Sequence, residues 1–250
     1  MVETFRGQPC IRLHAGNGDT ALVALHGAQV LSWVSGGRER LYLSPKAVFD
    51  GQAAIRGGIP LCFPQFNQRG PLPKHGFARN LAWRPGGAQA GEGITRLALH
   101  LNDDERTRAW WSQAFAARVD VVLSEGQLQV ECTVRNTGTV AWDFTIALHS
   151  YLRVDDIAQA RVRGLDGCVR WDGVQDAHGT QQDAISFGGE YDSVFAAAPV
   201  PLHLHDGAHR LEIAQSPTMG QTVVWNPGAA LCARLPDLPA DGYAHMLCVE

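Results

Sequence analysis

Wherever a pattern is visible along the chain, apolar and polar residues alternate with a period of two. In LQVECTVRN, Leu128, Val130, Cys132 and Val134 alternate with Gln129, Glu131, Thr133 and Arg135, the signature of a strand with one buried face. ARVDVVLS spaces Val119, Val121 and Leu123 in the same way, and RLALHL spaces Leu97, Leu99 and Leu101. Turn-forming stretches such as HAGNGDTA and SEGQ separate these runs, which predicts consecutive antiparallel strands. In DFTIALHSYLRV, residues 143–154, the same period puts Phe144, Ile146 and Leu148 on the apolar face of a strand and Thr145, Ala147 and His149 on the other.

Helical signal is scarce. DDERTRAWWSQAFAA, residues 103–117, opens with acidic residues suited to a helix N-terminus and predicts one short helix. No internal repeat, low-complexity tract or Pro/Ser-rich linker divides the chain, so residues 1–250 are expected to form one all-β domain. Many short strands over such a length predict a large antiparallel β-sandwich, because open sheets of that size split or curl.

One long stretch breaks the alternation. IRGGIPLCFPQFNQRGPLPKHGFARN, residues 55–80, is crowded with glycine and proline and has neither strand nor helix periodicity. Ile55, Ile59, Leu61, Phe63, Phe66 and Phe77 give it apolar anchors that a disordered segment lacks, so it is predicted to be a shaped loop. Its Arg56, Arg69, Lys74, His75 and Arg79 form a cationic set beside glycines that allow close approach of a ligand to the backbone. From the residues alone, these charges read equally as the holders of a small anion or as the decoration of a surface loop that pairs with Asp50 and other carboxylates.

Charge and composition narrow the classes. Lys plus Arg number 21 against 25 acids, a net charge of -4, which argues against a nucleic-acid partner. The N-terminal MVETFRGQPCIRLHAG carries Glu3 and Arg6 where a secretory signal would be apolar, and no stretch approaches the length of a membrane span, so a cytoplasmic protein without a membrane partner is expected. Cys10, Cys62, Cys132, Cys168, Cys232 and Cys248 are scattered without a C-x-x-C pair and read as buried thiols. No P-loop, G-x-S-x-G, H-E-x-x-H or G-x-G-x-x-G pattern occurs, which leaves acid/base chemistry or simple sugar binding.

Three further residues are candidates for that chemistry. His149 lies off the main apolar row with Tyr151 on the same face, and reads either as a packed or surface histidine or as a ligand contact. Glu250 closes the apolar run Met246, Leu247, Cys248 and Val249; such a carboxylate suits a general base, although a terminal glutamate is more simply solvent-exposed. Asp192, in GGEYDSVF, is an acid flanked by aromatics and on its own reads as a loop residue.

Taken together, AVFDGQAAIRGGIPLCFPQF, LPKHGFARNLAW, ALHSYLRV, VRGLDG, VVWNPG and YAHMLCVE resemble the aldose 1-epimerase superfamily, and within it the D-hexose-6-phosphate mutarotase branch. The resemblance runs in order over nearly the whole chain and implies a galactose mutarotase-like β-sandwich, in agreement with the independent strand reading. It implies an isomerase that interconverts the α and β anomers of a hexose 6-phosphate, with His149 as general acid and Glu250 as general base. His75 matches the second site histidine, Asp192 a substrate-binding aspartate, and Arg56 and Arg79 the arginines of the phosphate region, with Gln65 in the turn beside them. No metal or redox cofactor is implied, and the protein is expected to act as a monomer on a small sugar phosphate. Two other readings stay open: a mutarotase for unphosphorylated aldoses, and a non-catalytic carbohydrate-binding sandwich.

The resemblance implies a further strand segment after the V-E motif. The domain of residues 1–250 is therefore expected to lack its usual C-terminal strand segment, the Glu250 backbone is expected to fray, and the catalytic elements are expected to be weak or inactive.

Overall fold

The computed structural model describes residues 1–196, 198 and 200–250. The fold is all-β, as the alternation predicts: every pairing between named strands is antiparallel, and the α-helices among the described residues are short, Glu105–Trp110 and Gly228–Cys232. No helix among the described residues is long and apolar enough to cross a membrane. The chain divides into two compact units, residues 1–43 with 48–149 and residues 44–47 with 150–250.

The first unit holds a five-stranded sheet whose neighbours follow chain order, Val2–Phe5, Gln8–His14, Thr20–Ala24, Val30–Ser35 and Arg38–Glu39. A second, four-stranded meander runs through Arg84–Gly91, Ile94–Asn102, Phe115–Ser124 and Gln127–Asn136. Here the period-two pattern translates directly into burial. Leu97, Leu99, Val119, Val121 and Leu123 are buried, and Val130 lies opposite Val121 and Cys132 opposite Val119 in the ladder. Each such side chain removed from water stabilises the fold by about 1.5–3 kcal/mol.

Asp19 ties the hairpin ends of this unit together. One carboxylate oxygen accepts from the Gly36 N–H at 3.0 Å and the other from the Gly126 N–H at 2.9 Å. Burial pushes the Asp19 carboxyl up, but the Gly36 and Gly126 N–H groups, with Ser35 and Asn17, outweigh it and hold the carboxyl down to about 2.

The predicted helix at 103–117 is shorter in the structure. Asp104 caps it by accepting from the Thr107 N–H at 2.8 Å, while the Thr107 hydroxyl accepts from the Asp104 N–H, and the helix ends at Trp110. The cause is tertiary: Phe115, Ala116 and Ala117 are claimed by the ladder, opposite Asn136, Arg135 and Val134. Asp103 reinforces the switch by accepting from the Phe115 N–H at 2.9 Å.

The second unit contains a six-stranded sheet in the order Ser150–Arg153, Met246–Val249, Gln221–Asn226, Tyr191–Ala196, Val169–Asp172 and Ala177–Thr180. A four-stranded sheet orders Ile185–Ser186, Arg161–Arg163, Leu202–Asp206 and His209–Ile213. Met246–Val249 is wholly buried and lies between two partners, as its continuous apolar run requires.

The stretch 143–154 departs from the expected single strand. It is two short ones, Ala147–Leu148 paired with Leu61–Cys62 and Ser150–Arg153 paired with Met246–Val249. The expected faces change with it: Phe144 is 41% exposed, whereas His149, at the break, is 7% exposed. Asp192 is likewise not in a loop but in the strand Tyr191–Ala196, where Trp225 is its partner. Of the six cysteines expected to be buried, Cys10, Cys62, Cys232 and Cys248 are, and Cys132 and Cys168 are partly exposed.

Candidate functional site

Residues 55–80 form the shaped loop that their composition predicts, and individual contacts hold it. Ile55, Ile59, Leu61, Phe63 and Phe77 are buried, and Phe66 is half-buried. The Gln29 amide donates to the carbonyls of Ile55 and Gly57 at 3.0 and 2.6 Å. Further on, the carbonyl of Phe63 accepts from the N–H groups of Phe77 and Ala78 at 3.0 and 3.1 Å. That close return demands glycine at 76, where φ is +68° and a Cβ would stand 2.2 Å from the Phe63 carbonyl oxygen.

Gln65, expected at the substrate, is 4% exposed and its amide is occupied by the loop itself. Its NH2 donates to the carbonyls of Asn67 and Leu72, both at 3.0 Å, and its oxygen accepts from the Leu72 N–H at 3.0 Å. The geometry is that of a brace across residues 67–72.

His75 and His149 come together within the first unit. Their rings are 5.5 Å apart between centroids and inclined by 63°, an edge-to-face arrangement, and Phe66 also packs edge-on to His75 with centroids 5.2 Å apart. The His75 backbone is left-handed, with φ at 65°, and its N–H donates to the Asn67 carbonyl at 3.0 Å. A histidine in that conformation is fixed by its surroundings rather than by its own preference. The His149 N–H donates to the Pro60 carbonyl at 3.0 Å, which anchors the second ring to the same loop.

His75 is a neutral imidazole. Burial, together with the charges of Arg79, His149, Lys74 and Arg56, brings its pKa down to about 2. Three of those groups, Arg79, Lys74 and Arg56, are permanent cations carried by the loop. Arg56 and Arg79 are both half-buried, and the Arg79 guanidinium also donates to the Lys74 carbonyl at 3.0 Å. Four of the residues expected from the sequence, His75, His149, Arg56 and Arg79, thus share one region of the first unit.

The remaining two, Asp192 and Glu250, belong to the second unit. The Asp192 backbone carbonyl accepts from the Gly173 N–H at 2.8 Å, and its ladder partner Trp225 packs edge-on to Tyr151 with centroids 6.4 Å apart. At Glu250 the expected fraying is not found. Its N–H donates to the Val223 carbonyl and its backbone oxygen accepts from the Val223 N–H, both at 2.8 Å, which continues the ladder of Met246–Val249.

Two neighbours of His75 carry no signal in the sequence. Nδ1 of its ring accepts from the Asn67 N–H at 3.3 Å and lies 3.3 Å from the Cys62 sulfur. Asn67 and Cys62 reach it only because the loop folds back on itself, so no spacing in the chain announces either.

Comparison with known proteins adds an independent line. The family described as Aldose 1-epimerase matches residues 9–250, a segment that runs through both units. A protein of Cenchrus ciliaris named "Putative glucose-6-phosphate 1-epimerase" is 35% identical over 262 residues, covering 100% of this chain and 80% of the relative. A protein of the same name from Escherichia coli K12 is 36% identical over 237 residues, covering 92% of this chain and 78% of the relative. Among solved structures, one titled "putative mutarotase" from Salmonella typhimurium superposes with a TM-score of 0.91 at 31% identity, covering 99% of this chain and 84% of the other. A galactose mutarotase-like protein from Clostridium acetobutylicum shares the fold at 16% identity, with a TM-score of 0.77 over 100% of this chain and 86% of the other.

Proposed function

The chain belongs to the aldose 1-epimerase family, and on that premise we propose that it interconverts the α and β anomers of a hexose 6-phosphate such as glucose 6-phosphate. The observation that carries the reading is the buried His75–His149 pair set among the cations Arg56, Lys74 and Arg79. A phosphate is a natural partner for such cations, and each charge-assisted contact from Arg56 or Arg79 would contribute about 1.5–3 kcal/mol.

Glu250 is assigned as general base and His149 as general acid. Glu250 takes the proton of the anomeric hydroxyl while His149 gives a proton to the ring oxygen. The bond between the anomeric carbon and the ring oxygen breaks, leaving an open-chain aldehyde. Rotation about the adjacent carbon–carbon bond turns the other carbonyl face to the hydroxyl, and reversal of the two proton transfers closes the ring as the other anomer. No electrons are exchanged, so acid/base groups suffice, and such groups typically contribute about 10²–10⁴-fold.

A local feature supports each member of the pair. Both backbones are pinned by hydrogen bonds, His149 to Pro60 and Glu250 to Val223. His75 contributes a hydrogen bond to the sugar rather than a proton, being neutral, and Asp192 is assigned to a sugar hydroxyl. Gln65 acts through the loop that it braces. The six cysteines, all thiols, suit a reducing compartment, and we assign the activity to the cytoplasm.

A coupled assay that consumes one anomer tests this with glucose 6-phosphate and glucose side by side. Wild type accelerates anomerisation of the phosphate over that of the free sugar, Arg56→Ala removes the preference by raising KM for the phosphate, and His149→Asn lowers kcat about 10²-fold or more. Equal rates on the two sugars would overturn the phosphate assignment, and an unaffected His149→Asn would overturn the acid.

A further inference from the structure

The buried thiol of Cys62 has no part in the chemistry above, yet it touches the ring that does. Cys62 is fully buried in Leu61–Cys62, opposite Ala147, and its sulfur is 3.3 Å from Nδ1 of His75. The same nitrogen accepts from the Asn67 backbone N–H at 3.3 Å. A backbone N–H can only donate, so Nδ1 must offer its lone pair, and in a neutral imidazole the ring proton then resides on Nε2.

The geometry points to Cys62 as a positioning residue for the anomerisation: with the Asn67 N–H it occupies Nδ1 of His75, fixing the tautomer whose Nε2–H is the donor to the sugar. The inference rests on the proposed function, and on His75 as a sugar contact. It deepens that assignment by stating which ring atom donates and what holds it so.

Other features of the ring agree. Phe66 and His149 pack edge-on to the imidazole at 5.2 and 5.5 Å and restrict its plane. A proton on Nδ1 would confront the Asn67 N–H and leave Nε2 with a bare lone pair, unable to donate to a sugar oxygen. The burial and the cations that keep the ring neutral prevent the alternative of protonating both nitrogens. Cys62 is suited to the task because a thiol is small, donates weakly and fits a wholly buried site.

The test compares wild type with Cys62→Ala, Cys62→Ser and His75→Ala by steady-state kinetics on glucose 6-phosphate and by heteronuclear NMR of the His75 ring nitrogens. In Cys62→Ala only the 3.3 Å contact from the Asn67 N–H still favours the Nε2-protonated form, which loses population, and kcat falls about 3–10-fold with KM little changed, the factor that one neutral hydrogen bond commands. Cys62→Ser, which retains a donor, restores the ring signature and most of kcat. Cys62→Ala with the wild-type ring signature and wild-type kcat would overturn the inference, as would a loss of kcat that Ser does not restore in a folded protein. His75→Ala with wild-type activity would instead strike the assignment of His75 itself, so the two failures are told apart.

Discussion

The sheet of residues 84–136 and the loop of residues 55–80 lie in the same unit and are held together in opposite ways. In the sheet the backbone groups satisfy one another in a repeating ladder, and what a position asks of a residue is polarity on the proper face. In the loop most constraints are singular: Gln65 braces residues 67–72, Thr145 accepts from the Phe66 N–H at 2.7 Å, and the Trp83 indole donates to the Ala78 carbonyl at 3.0 Å. The loop therefore has few interchangeable positions. That is the construction a site requires when charges and rings must stand in place before the ligand arrives.

The contrast is broken most severely at Gly76. Gly76→Ala forces a Cβ to 2.2 Å from the Phe63 carbonyl oxygen at a left-handed φ. We expect a loss of about 4 kcal/mol or more, read as a fall in the urea midpoint or as failure to recover folded protein. Retention of wild-type stability would mean that the loop adapts as freely as a surface turn.

A smaller effect separates the loop through its buried imidazole. The folded pKa of His75, about 2, lies below its ordinary value of 6.5, so the neutral ring is the form that the fold favours. Its contribution to stability is complete above pH 6.5 and is lost as the pH falls below that value toward 2. Chemical denaturation at several pH values between 4 and 7 should show wild type losing up to about 1.4 kcal/mol per pH unit more than His75→Gln. Parallel curves for the two proteins would contradict a buried neutral histidine.

The least effect is expected on the outer face of the sheet. Gln129 is exposed in Gln127–Asn136, with Val122 opposite, and Gln129→Thr keeps strand propensity. Its stability should stay within about 0.5 kcal/mol of wild type and anomerisation should be unaffected. A larger change in either would show that this face carries more than a ladder.

The same contrast explains what the sequence made legible. Alternation in 94–102, 115–124 and 127–136 reported the sheet almost residue by residue, because period-two burial is local and repeats. It misreported 143–154 for a physical reason: the two halves of that stretch pair in different sheets, so one period spanned two environments and His149 was placed off the buried side. The short helix expected within 103–117 stops at Trp110 because residues 115–117 are held by a strand partner more than ten positions further on. His75, Arg56 and Arg79 are legible as motif residues. Gln65 reads from the sequence as a substrate contact, whereas in the folded loop its amide braces residues 67–72, and Cys62 reads as one more buried thiol.

The central claim is that His149 and Glu250 move the two protons of anomerisation. Exchange between the anomeric proton signals of glucose 6-phosphate, followed by NMR at equilibrium with wild type, His149→Asn and Glu250→Gln, tests it without a coupling enzyme. The account predicts enzyme-dependent exchange with wild type and a loss of about 10²-fold or more in each variant. Exchange at the wild-type rate in either variant, with the fold intact, would contradict it.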